Sequence, residues 1–266
     1  MKRFAAAAAF ALSLSALAPS AGAITFGEPD GNGHPNVGQL VVDFPDPDGG
    51  LFGICSGTLI APQVFLTAAH CVAFLPGLGI DDAYVSFDSV VDPATSTLLH
   101  GTYSFDPAFG ISGGGSDAHD IAVVVLDVPV SGITPAQLPT ANLLDSLKTA
   151  GTLMDQRFTP VGYGCVRNDS TGGPHSLDCD DNERRVADQG FHSLQNKAWM
   201  LLNMNPSTGS GGTCFGDSGG PHFLGDSSVV VSITVTGDTW CRATDKTYRT
   251  DTANARAFLA QFVTLP

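Results

Sequence analysis

The chain has 266 residues, with 26 acidic against 12 basic side chains and a formal net charge of −14. That balance excludes a nucleic acid or an anionic membrane as a main partner, because both call for basic surface. The length is ample for a core in one or two compact domains.

Residues 1–23 read as a secretory signal: Lys2 and Arg3 give the positive start, Phe4 to Leu17 the apolar run and Ala21-Gly22-Ala23 the small-residue cleavage site. The apolar run is too short to span a bilayer. The expected mature start is Ile24, with a short propeptide beginning near Pro19 as the rival. Six cysteines in an exported chain point to disulfides, and none of their spacings forms a zinc-type pair.

Short apolar, β-branched runs follow, separated by Gly, Pro, Asp and Ser: 39–44, 57–61, 64–67, 83–87, 121–126, 151–162, 198–204 and 229–235. This is the pattern of an all-β sandwich or barrel pair. Only the tail looks helical, where Ala257, Phe258 and Phe262 fall near helical spacing and Asp251 or Thr252 can cap the start. Residues 45–50, 112–116 and 168–182 read as loops. Within the last, Asp178, Asp180, Asp181 and Glu183 are a candidate calcium cluster, although a solvated acidic loop is the favoured reading. Asp30-Gly31-Asn32-Gly33 opens like an EF-hand loop, but its twelfth position is Val41, which cannot supply the required carboxylate.

Three stretches carry chemistry. Thr67-Ala68-Ala69-His70-Cys71 holds a histidine beside a cysteine, and pairing Cys71 with Cys55 would staple that loop to the preceding strand. Asp120 heads the apolar run 121–126, where a partly desolvated carboxylate needs a donor such as an imidazole Nδ1–H; Asp117 and His119 are its neighbouring rivals. Gly211 to Pro221 contains Gly216-Asp217-Ser218-Gly219-Gly220, a turn that exposes one hydroxyl. A serine nucleophile needs a histidine base and an orienting carboxylate.

In that order, Thr67 to Cys71, Asp120-Ile121-Ala122-Val123 and Gly216 to Pro221 resemble the three active-site motifs of the chymotrypsin/trypsin family of serine endopeptidases. The resemblance runs from Ile24 to the C-terminal helix. It implies two six-stranded antiparallel β-barrels, about 24–140 and 141–250, with the active site between them and a helix at about 252–263. Ser218 would then be the nucleophile, His70 the base and Asp120 its orienting carboxylate, with the Gly216 and Ser218 N–H groups as the oxyanion hole. It also implies bridges Cys214–Cys241 and Cys165–Cys179, the latter following Val161-Gly162-Tyr163-Gly164, and activation by an Ile24–Asp217 ion pair.

The specificity pocket is expected from Gly212 at its floor, Thr213, and Val235-Thr236-Gly237 as one wall, with Lys246 and Arg249 on the far side. Gly212 in place of the trypsin aspartate removes the counter-charge for Lys or Arg, and a cation at 246 would favour an acidic side chain instead. Polypeptide substrates and proteinaceous inhibitors are the expected partners of a monomer without a cofactor. The alternatives are a catalytically silent binding protein on the same fold, or an esterase using the same triad.

Overall fold

Runs of four to eight β-branched residues bounded by turn formers bury one face each, and closing them into a ring removes the exposed edges. The computed structural model describes residues 24–45, 49–110, 117–167 and 177–266; the signal segment, the loop 112–116 and most of the 168–182 loop lie outside these. The elements are β1 (Glu28–Pro29), β2 (Val37–Phe44), β3 (Gly50–Ala61), β4 (Val64–Thr67), β5 (Asp82–Ser86), β6 (Leu99–Phe105), β7 (Ala122–Leu126), α1 (Leu143–Thr149), β8 (Arg157–Gly162), β9 (Val166–Arg167), β10 (Leu177–Asp178), β11 (Arg185–Val186), β12 (Gln189–Gln195), β13 (Trp199–Asn203), β14 (Pro221–Leu224), β15 (Val230–Gly237), β16 (Thr244–Arg249) and α2 (Ala253–Leu259).

The first barrel closes in the order β2-β3-β4-β7-β6-β5, with β2 pairing back onto β5. The second runs β8-β12-β13-β16-β15-β14 and closes where β14 pairs with β8. All these pairings are antiparallel. The chain therefore has the two six-stranded barrels and C-terminal helix that the motifs implied. β1 lies outside this division: it pairs with β11, which continues the edge of β8, so the N-terminal segment joins the second barrel.

One apolar core runs through the first barrel and into the second, from Val37, Leu40 and Phe65 to Phe223, Tyr248 and Phe258. A second cluster, including Leu144, Leu153, Phe158, Met200 and Leu202, fills the far end of the second barrel. Ile121 to Leu126 is buried almost throughout, as a run without alternation requires. Thr252 caps α2 by accepting the Ala255 N–H, within the expected tail helix.

Several boundaries differ from the sequence reading. Residues 151–156 form a turn and a short 3₁₀ segment rather than strand, because Gly151 sits at φ 75°. α1 was not expected; it is started from afar, the Asp251 carboxylate accepting the Leu144 N–H at 2.8 Å. Among the candidate calcium ligands, Asp181 and Glu183 pair with the Arg185 guanidinium, and Asp178 accepts the Asp180 N–H. Asp30 is drawn inward to Arg184 and His34.

Candidate active site

His70 lies in a short 3₁₀ turn after β4. Its backbone N–H donates to Asp120 Oδ1 at 2.9 Å and its Nδ1 lies 2.8 Å from Asp120 Oδ2. One carboxylate thus fixes both the main chain and the ring, and Asp120 is 3% exposed, so little water competes for it. With Nδ1–H pointed at a carboxylate, Nε2 is left as the basic nitrogen. The rivals are otherwise occupied: Asp117 accepts the Gly110 and His119 N–H groups, and His119 Nδ1 bonds Asp106.

The Ser218 loop packs directly beneath that turn. A Cβ on Gly219 would stand 2.6 Å from Ser56 O and 2.7 Å from Ala68 N, so only glycine lets the two loops meet. The Ser56 N–H donates to Ser218 O at 2.9 Å. Among the described residues His70 Nε2 makes no hydrogen bond, a contact that in such sites tightens when substrate arrives.

Gly216 has φ 94°, a left-handed value that glycine adopts without strain. The Phe215 carbonyl is held away from the cleft by the Cys165 N–H at 2.6 Å, which turns the N–H of the same peptide, that of Gly216, the other way. Asp217 is fully buried and accepts from the Gly164 N–H and the Cys214 N–H, both at 2.8 Å. Burial pushes its pKa up to about 7, with those two donors opposing. Ile24 is buried beside the same loop, since Thr25 bridges Gly212, but its nitrogen is an amide in the full chain, and among the described residues the partners of Asp217 are backbone N–H groups.

The three disulfides pair Cys55–Cys71, Cys165–Cys179 and Cys214–Cys241. The first fastens the His70 turn to β3. The second and third lie against each other beside the Gly216 loop. Cys55, His70 and Cys71 group closely enough for a metal, yet both sulfurs are consumed in the disulfide.

Next to Ser218 opens a cavity of about 190 Å³, walled by Thr213, Thr234, Val235, Thr236 and Gly237. Three expected lining residues are displaced. Lys246 turns outward, with Nζ 4.5 Å from the Trp199 ring centre, because it alternates with inward-facing Asp245 on β16. Gly212 lies behind the wall: a Cβ there would meet Gln189, Met204 and Asp245. Arg249, also expected on the far wall, is buried in ion pairs with Asp251 and Asp145.

The sequence reading missed Asp245. It is fully buried, accepts from the Thr213 N–H at 2.8 Å and from Gln189, and leaves Oδ1 without a partner among the described residues. That oxygen would lie 3.3 Å from a Cβ on Gly237, so the carboxylate sits directly behind the pocket wall. Burial raises the Asp245 pKa to about 7. His222 was missed as well. It is buried behind Thr234, with Nε2 3.0 Å from Thr234 Oγ1, and desolvation lowers its pKa to about 3, so it is neutral. Buried polar residues at alternate positions of β16, and His222 within the short β14, were the available signal, but a strand has to be recognised before its faces can be sorted.

Comparison with known proteins agrees with this fold. The trypsin family model matches residues 34–258. Brachyurin of Leptuca pugilator is 31% identical over 183 residues, covering 63% of this chain and 69% of that protein. Trypsin of Saccharopolyspora erythraea is 28% identical over 209 residues, covering 75% and 80%. Among solved structures, the mouse-brain serine protease neuropsin superposes with TM-score 0.59 at 17% identity, covering 87% of this chain and 95% of that one. HL collagenase gives 0.58 at 16% identity, covering 91% and 96%. With the matched model spanning most of the chain and all three motifs, this protein belongs to the trypsin family of serine proteases.

Proposed function

We propose that the protein is a secreted serine endopeptidase. The observation that carries this reading is the His70 Nδ1 to Asp120 bond of 2.8 Å on a turn packed against the Ser218 loop. Ser218 Oγ attacks the scissile carbonyl as its proton passes to His70 Nε2, and the resulting oxyanion is held by the Gly216 and Ser218 N–H groups. Collapse breaks the C–N bond, and His70 delivers the proton to the leaving amine. Water, deprotonated by His70 in turn, then hydrolyses the acyl-enzyme. Asp120 holds the imidazole in one tautomer and stabilises its charged form. The reaction uses groups of the chain alone.

Release of residues 1–23 by signal peptidase would expose the Ile24 amine. That ammonium would compensate the buried Asp217 carboxylate, which otherwise rests on two backbone donors. N-terminal sequencing of the secreted protein should begin at Ile24; a start at any other residue overturns this step.

For the side chain preceding the scissile bond, a threonine-lined cavity with the Asp245 carboxylate behind it disfavours an acidic group and favours one that ends in hydrogen-bond donors. A fluorophosphonate probe tests the central claim. It should label the wild type and not Ser218→Ala, whereas an unlabelled folded wild type would favour a silent binding protein. Hydrolysis of esters but not of peptides would favour the esterase reading.

A further inference from the structure

Both carbonyl groups of the oxyanion-hole residues end on one amino acid of the other barrel. The Ser56 N–H donates to Ser218 O at 2.9 Å, and Ser56 Oγ–H donates to Gly216 O at 3.0 Å. The same hydroxyl accepts the Tyr163 N–H at 2.9 Å. A backbone N–H can only donate and a carbonyl can only accept, so the single hydroxyl proton is committed to Gly216. Ser56 is fully buried, so no water is available to take over either bond.

The consequence lies in how Gly216 is held. Two peptide planes meet at that residue, and a glycine at φ 94° resists rotation of neither. The Cys165 N–H pins the plane before it through Phe215 O. The plane after it is pinned through Gly216 O by the Ser56 hydroxyl. Room for that hydroxyl is made by two glycines: a Cβ on Gly162 would come 3.0 Å from Ser56 Oγ, and one on Gly220 would come 3.2 Å from Ser56 Cβ. The Cys55–Cys71 bridge next to Ser56 ties its strand to the His70 turn, so the base and the oxyanion donors share one anchor.

We propose that Ser56 is a positioning residue of the oxyanion hole: its hydroxyl fixes the peptide plane after Gly216, so that the Gly216 N–H, on the plane held by Cys165, keeps its direction relative to the Ser218 N–H. The inference rests on the acyl-transfer function proposed above. Its test compares wild type, Ser56→Ala and Ser56→Gly on a chromogenic peptide substrate, with competent sites counted by fluorophosphonate titration. Both variants should lose roughly ten-fold in kcat per titrated site, less than the 10²–10³ that loss of a donor itself costs. KM should stay within about two-fold, because the oxyanion forms only in the transition state. A peptide boronate, which places a tetrahedral oxyanion in the hole, should lose affinity by about the same factor as kcat. Unchanged kcat in both variants overturns the inference, as does a loss confined to KM or to the titrated fraction. An inactive, unlabelled wild type overturns the proposed activity and this inference with it.

Discussion

Asp120 does two jobs at once, bonding both the backbone and the ring of His70. Asp120→Asn keeps the shape but offers the ring an N–H where it needs an acceptor, so kcat should fall on the order of 10⁴-fold with little change in unfolding temperature. Steady-state kinetics beside a thermal melt check this; a loss of stability matching the loss of rate would contradict it. Asp245→Asn should reduce kcat/KM for Lys or Arg before the scissile bond relative to apolar side chains, by about ten-fold if Oδ1 is reached. A panel of peptides differing only at that position measures the ratio, and an unchanged ratio would show the carboxylate to be out of reach. The proposed triad of His70, Asp120 and Ser218 stood out in the sequence because each residue sits in a local motif, beside Cys71, at the head of an apolar run, or between glycines. Asp245 and Ser56 were not, since their roles come from which strand lies opposite rather than from neighbours in sequence.

Strands were legible where they were apolar. β4 was read to the residue, and β2, β7, β13 and β15 were each found within about two residues at most ends. β14 and β16 were missed because their inward residues are polar: His222, Asp245, Thr247 and Arg249 are all buried. A strand whose core face carries charge has no hydrophobic period to detect. α1 was missed for a related reason, as Asn142 at its start gives no side-chain cap and the capping carboxylate comes from Asp251, 107 residues away from Leu144. Asp251 also bonds Arg249 Nε and Nη2, and both side chains are almost fully buried. Asp251→Ala therefore leaves a buried guanidinium with one carboxylate partner, Asp145, and an uncapped helix. It should cost about 3–5 kcal/mol, read from urea unfolding of an inactive Ser218→Ala background. A cost within about 1 kcal/mol would mean that water replaces the lost carboxylate.

For the molecule as a whole, three buried groups set opposing pH dependences. Asp217 and Asp245 have pKa values raised to about 7, so the stability tied to their protons is present in mild acid and lost as pH rises. His222, lowered to about 3, works the other way, its folded form gaining stability as pH climbs toward the ordinary imidazole value. Between about pH 4 and 6.5 the two raised carboxyls thus outweigh the one lowered imidazole, the folded chain binds more protons than the unfolded chain, and these groups lower stability as pH rises. This applies to a chain extended before Ile24. In the proposed form with a free Ile24 amine paired to Asp217, that carboxylate would stay ionised, leaving Asp245 and His222 to oppose each other. Urea unfolding of Ser218→Ala with and without the leading segment, across that pH range, should show the slope only in the longer chain. Equal slopes would argue against the Ile24–Asp217 pair.

The placement of β1 on β11 bears on what becomes of the two halves apart. β11 is a two-residue strand at the rim of the second barrel's sheet, and β1 covers its outer side. The C-terminal half made alone would present that rim uncovered, with unpaired N–H and C=O groups open to a neighbouring chain. Glu28 and Pro29 of β1 thus serve as a guard against association, and a separated C-terminal barrel should self-associate until a peptide spanning Ile24 to Gly33 is supplied.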